Sequence, residues 1–247
     1  MSMTDVNLIK YEDVNKKVRA YTHHAFLEAA GVRPFASRFH FDMARAVLEA
    51  GGMTREQSVS VLEAVLLLHR GLAIHEDVDS TNDLQRQLRV LAGDYCSSQY
   101  YWIISRVGDA ELIQALSDAV VRINEAKMTV HRRRSELSPA QYILLQEVIH
   151  GDLLYTLAAM YLSHQEDWIK GLHFTVRSYV VREQSELGDG TGPFTLRQAF
   201  DWLTEAKGYM EDRTRESMMR PASSFVLDTW HQIRVLLDQQ SLAEGNR

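Results

Sequence analysis

The segment running from Leu68 to Asp79 puts His75 and the acids Glu76, Asp77 and Asp79 directly after a long apolar stretch. On a helix, residues three apart share a face, so Glu76 and Asp79 would lie together. Acids at the C-terminal end of a helix oppose the macrodipole, which disfavours negative charge there. An acidic cluster in so unfavourable a place suggests a compensating partner such as a cation. Chance acids on a solvated helix end account for the same residues.

The other polar groups read more plainly. Glu166-Asp167 is followed by Lys170, and Glu211-Asp212 by Arg213 and Arg215, so both pairs read as solvated helix faces. His131-Arg132-Arg133-Arg134 would close a helix where cations complement the dipole, with phosphate binding as the alternative. His23-His24 lacks a third ligand at metal spacing. Cys96 has no base beside it and reads as a small buried hydrophobe. Gly93 lies inside a predicted helix, where glycine costs about 1 kcal/mol relative to alanine; it reads as a point of close helix approach or a tolerated defect. Around it, Asp94 could be a buried hydrogen-bonding anchor. Tyr95, Tyr100, Tyr101 and Trp102 form an aromatic patch that serves either core or interface.

The elements that carry these residues are helices. Thr54 with Gln57, Ser138 with Gln141 and Thr195 with Gln198 each have capping-box spacing, and Pro139 falls at a first helical position. Asp109 and Ser223 or Ser224 are further candidate caps; Gly51-Gly52, Gly108 and the glycines from 188 to 192 are stops. The predicted helices run near 5–30, 35–50, 55–76, 82–107, 110–134, 139–163, 165–186, 196–217 and 223–243. No stretch shows the alternation of a half-buried strand. Helices 55–76 and 139–163 are apolar round most of their circumference, which places them at the centre of a bundle. The expectation is one all-α, single-domain multi-helix bundle over residues 1–247.

Composition agrees. Of 247 residues, 45% are hydrophobic and 24% charged, which is ordinary globular usage. The net charge of −6 argues against nucleic-acid binding. One cysteine excludes a disulfide framework and fits a reducing compartment. The longest apolar run, Val61–Ile74, is interrupted by Glu63, His69 and Arg70, and no run reaches the roughly 18 residues of a membrane span. The N-terminus lacks a signal-peptide core, so the chain is expected to be cytoplasmic.

Two short runs carry a resemblance. Ile74-His75-Glu76-Asp77-Val78 resembles the leucine-histidine-aspartate-aspartate-valine run that opens the first aspartate-rich motif of trans-prenyltransferases. Val90-Leu91-Ala92-Gly93-Asp94-Tyr95 resembles the leucine-alanine-glycine-aspartate-tyrosine run on that family's next long helix. The resemblance implies the all-α fold of the isoprenoid diphosphate synthase superfamily. In that family, Asp-Asp-x-x-Asp acids hold Mg2+ ions that bind the allylic diphosphate and draw off leaving-group charge.

This sequence departs from the pattern. Glu76 and Asp77 take the first two acid positions, Ser80 stands at the fifth, and Asp79 falls one residue early. The following loop is short, the basic pair is absent, with Arg86 and Arg89 the nearest basic residues, and no second acidic motif is found. Such a degenerate member resembles the small, non-catalytic subunits of two-component heptaprenyl diphosphate synthases of menaquinone-making bacteria. That resemblance implies no catalytic residue and no metal or cofactor bound by this chain, with Mg2+ on a catalytic partner subunit. It implies a heterodimer, or a homodimer when the chain is alone, in which Gly93, Asp94, Tyr95, Tyr100, Tyr101 and Trp102 are interface candidates. The reaction would be condensation of isopentenyl diphosphate onto farnesyl diphosphate. Two alternatives stay open: a self-sufficient prenyltransferase with an unorthodox acidic motif at Glu76, Asp77 and Asp79, and an all-α metal phosphohydrolase using His69, His75 and Glu76.

Overall fold

Several helices begin where the sequence supplies caps. The computed structural model describes residues 9–29, 36–76, 84–162, 166–186, 193–211 and 220–245. Among these it contains ten helices and no strand. They are α1 (Tyr11–Thr22), α2 (Ala25–Ala29), α3 (Arg38–Ala50), α4 (Arg55–Glu76), α5 (Leu84–Val107), α6 (Ala110–Arg133), α7 (Pro139–Tyr161), α8 (Glu166–Glu186), α9 (Leu196–Glu211) and α10 (Arg220–Gly245).

All three capping boxes form. Gln57, Gln141 and Gln198 each donate their backbone N–H to the hydroxyl three residues back, and their side-chain oxygens accept the cap residue's N–H. Asp109 caps α6 through Leu112 N–H at 3.0 Å. Gly52 and Gly108 follow helix ends with φ of 71° and 75°, a conformation that favours glycine.

Two expectations need correction. Residues 5–30 do not form one helix: α1 stops where His23 turns extended (φ −64°, ψ 119°), and the Thr22 hydroxyl donates back to Val18 O at 2.8 Å. Nor do Ser223 and Ser224 cap the last helix. Both lie inside α10, which starts at Arg220 with Pro221 in its first turn, where a missing N–H costs nothing.

The chain divides into two compact units, Met1–Ala115 and Leu116–Arg247. In the first, α4 is packed on by α1, α3 and α5. Val61, Leu62 and the run from Ala64 to Leu67 are completely buried, so each large side chain removes enough apolar surface to contribute about 1.5–3 kcal/mol. Within this wall Glu63 is buried and satisfied by Lys17 Nζ of α1 at 2.7 Å. In the second unit, α8 packs on α7, α9 and α10. Its core joins Ile143, Val180, Val181, Ala199, Leu203, Trp230 and Ile233.

Windows of α4 and α7 are long and apolar enough, by length and composition, to cross a membrane, although neither contains an unbroken apolar run of that length. The chain itself buries 61% and 56% of those windows, as it would core helices surrounded by others.

Candidate functional site

The resemblance-bearing residues meet where α4 crosses α5, and two glycines permit the crossing. A Cβ on Gly71 would lie 3.1 Å from the Gly93 carbonyl oxygen, 3.1 Å from Ser97 Oγ and 3.3 Å from Cys96 Cβ. A Cβ on Gly93 would lie 2.5–2.8 Å from three ring atoms of His75. Gly93 is therefore a point of close helix approach, and the helix approaching it is this chain's own α4. A Gly93→Leu substitution would therefore first displace His75.

His75 sits over Gly93 with Nε2 3.4 Å from Asp94 Oδ1; the two side chains are 37% and 67% exposed, so the pair lies at the rim. Asp94 is thus no buried anchor. Glu76 closes α4, while Asp77 and Asp79 lie outside the described residues. His69 lies against His40 of α3, ring centroids 3.6 Å apart. Among the described residues no group of three or more histidines, cysteines or acids could hold a metal ion.

The aromatic residues divide between core and surface. Tyr100 is buried, its phenol pushed up to about 12 by burial, with Tyr101 adding to the rise. Tyr95 is half-buried, edge-on to His24 at 6.4 Å. Tyr101 and Trp102 are 56% and 50% exposed, and helix periodicity puts Trp102 on the same side of α5 as Leu84 and Leu91, 60% and 59% exposed. Cys96 is buried in the cluster of Leu27, Ile74, Leu88 and Ala92, and burial pushes its thiol up to about 11.

The remaining groups are peripheral. His131, Arg132 and Arg133 end α6 in solvent. His23 pairs with Glu28 at 3.0 Å. Exposed Glu166 and Asp167 open α8; Glu211 pairs with Lys207 at 2.7 Å, and Asp212 lies outside the described residues.

Sequence reasoning missed a polar network in the second unit. Glu147 of α7 is buried and accepts a hydrogen bond from Arg177 of α8, whose guanidinium also reaches Glu205 of α9 at 4.0 Å. Burial raises the Glu147 carboxyl above its ordinary range, and Arg177 opposes the rise. Five residues on, Asp152 accepts from Arg122 Nε of α6 at 2.8 Å; its carboxyl too is raised by burial against the pull of Arg122. The Tyr155 ring folds back over Gly151, where a Cβ would lie 2.5 Å from it, and stacks on His173 at 4.0 Å. The Tyr155 phenol is raised far above its ordinary value by burial, with Glu147 adding to the rise. Burial pushes His150 down to about 4, with the Lys127 charge acting in the same direction. The signal was available: Gln146, Glu147, His150 and Asp152 interrupt an otherwise apolar helix, and a buried carboxylate requires a cation or donor nearby.

Taken with the helix order, this arrangement belongs to the all-α class of isoprenoid synthases. The chain is similar to the decaprenyl diphosphate synthase of Rhodobacter capsulatus, with a TM-score of 0.67 at 12% identity over 90% of this chain and 95% of that one. It is similar to the heptaprenyl diphosphate synthase of Staphylococcus aureus, with a TM-score of 0.58 at 14% identity over 92% and 87%. Sequence is more specific than fold. The family described as heptaprenyl diphosphate synthase (HEPPP synthase) subunit 1 matches residues 24–226. Over 171 residues, 68% of this chain and 77% of its relative, the chain is 34% identical to heptaprenyl diphosphate synthase component 1 of Geobacillus stearothermophilus. The chain belongs to the heptaprenyl diphosphate synthase subunit 1 family.

Proposed function

We propose that this chain is the small regulatory subunit of a heterodimeric heptaprenyl diphosphate synthase. It completes a catalytic subunit that condenses isopentenyl diphosphate onto farnesyl diphosphate for the menaquinone side chain. The observation that carries the reading is the match to the subunit 1 family over residues 24–226. The exposed side of α5 supports it: Leu84, Leu91, Tyr101 and Trp102 offer apolar surface on one helix, with Asp94 among them. Gly93 and Tyr100 are buried behind that side and would shape it from within. The rim around His75 and Asp94 serves as cavity wall or interface, while Mg2+ and the reacting diphosphates belong to the catalytic subunit. The reading places the complex in the cytosol, consistent with a single, buried thiol.

The test is product analysis with farnesyl and isopentenyl diphosphates and Mg2+, for this chain, for the synthase subunit of the same organism, and for their mixture. The chain alone should make no long product, and the mixture should make heptaprenyl diphosphate. Multiple turnovers by the isolated chain would refute the assignment and revive the self-sufficient alternative.

A further inference from the structure

Trp102 is half exposed, yet it is held in place. The Tyr21 ring of α1 lies 6.0 Å from it, and the Arg106 guanidinium sits 4.7 Å from its ring centroid. Behind Tyr21 lies the buried Glu63, whose carboxylate adds to the rise that burial gives the Tyr21 phenol and which Lys17 Nζ holds at 2.7 Å. A ladder thus runs from the core of α4 to an exposed indole, so most of the entropy cost of ordering that side chain is met before anything binds. Arg106 has no carboxylate partner among the described residues, and stacking on the indole leaves its N–H groups free to donate. Tryptophan and arginine, with apolar neighbours that exclude water, are the residue types that dominate interface energies.

We propose that Tyr21, Trp102 and Arg106 form the anchor of the docking surface, and that it receives an apolar face of the catalytic subunit bordered by a carboxylate that pairs with Arg106. The unpaired guanidinium selects that occupant, since an apolar surface alone would leave it desolvated without a counter-charge. The proposal rests on the subunit assignment above but narrows it to one corner of α1 and α5. It predicts an ionic contribution that aromatic contacts alone would not give.

The test is the dissociation constant between this chain and its catalytic subunit, by sedimentation or calorimetry at low and high salt. Trp102→Ala should weaken pairing by at least about 30-fold, as expected for a central aromatic anchor. Arg106→Gln should weaken it by about 5- to 10-fold and flatten its salt dependence. Trp102→Phe, which keeps a ring in place, should stay within about 3-fold of the parent and serves if the alanine variant fails to fold. If the parent chain does not pair at all, the subunit assignment itself fails. If the parent pairs and both Trp102→Ala and Arg106→Gln pair as tightly, only the anchor is overturned. Loss of self-association with the hetero-pair intact would assign the surface to a second copy and overturn it as well.

Discussion

Gly93 and Gly151 both make room for a ring, but the rings come from different places. Over Gly93 lies His75, eighteen residues away on another helix; over Gly151 lies Tyr155, one turn further along the same helix. The first arrangement is tertiary, because it exists only while α4 and α5 cross closely. The second is local and needs only that α7 be helical. Their surroundings differ too. The α4–α5 crossing is apolar with a polar rim, whereas α7 and α8 enclose carboxylates held by arginines. The α4–α5 crossing is therefore vulnerable to added volume, the α7–α8 contact to a lost charge.

The largest expected effect tests the second half of that contrast. Arg177→Met leaves Glu147, with a side chain only 6% exposed, without its cation. Unfolding by urea should show a loss of about 3 kcal/mol near neutral pH, the scale for stranding one partner of a buried pair. The loss should shrink as pH falls, because a protonated Glu147 needs no counter-charge. A variant as stable as the parent at pH 7 would show that solvent already neutralises the site.

Acid should act through His150. Its folded value of about 4 lies below the ordinary 6.5, so the folded state favours neutral imidazole. The associated stability is complete above pH 6.5 and is lost as pH falls towards 4, by up to about 3 kcal/mol. A His150→Phe variant followed by urea denaturation at several pH values should have a flatter profile across that window. An unchanged profile would place the acid sensitivity elsewhere.

The smallest effect separates the two glycines of the α4–α5 crossing. Gly71 faces a backbone carbonyl and Cys96, which cannot step aside, so Gly71→Leu should cost about 2–3 kcal/mol by overpacking. Gly93 faces a ring at the rim that can swing outward, and alanine also gains about 1 kcal/mol of helix propensity. Gly93→Ala should therefore change the urea midpoint little. The reverse order would mean that His75, not the Gly71 contact, sets the helix spacing.

Helix positions were legible in the sequence because caps and stops are local. Thr54, Ser138, Thr195 and Asp109 need only partners within three residues, and each formed its bond. The break at His23 was not legible, because nothing there resembles a proline or glycine stop. The site was legible only as a pair of runs, His75 to Val78 and Leu91 to Tyr95. That His75 covers Gly93 depends on how two helices cross, which no spacing along one chain encodes. Glu147 and Asp152 are hard to recognise as a network from sequence because α7 is apolar in its majority. Their arginines, Arg177 and Arg122, lie thirty residues away on either side.

Cys96 turns its own inertness into an instrument. It is the chain's one thiol, and at about 11 its ionisation lies so high that roughly one molecule in a thousand would carry thiolate at pH 8, even before shielding by its neighbours. An alkylating reagent therefore meets a nucleophile only when α4 and α5 part. The rate of labelling times that event for the first unit alone, since the second contains no cysteine, and a tightly docked partner should slow the clock.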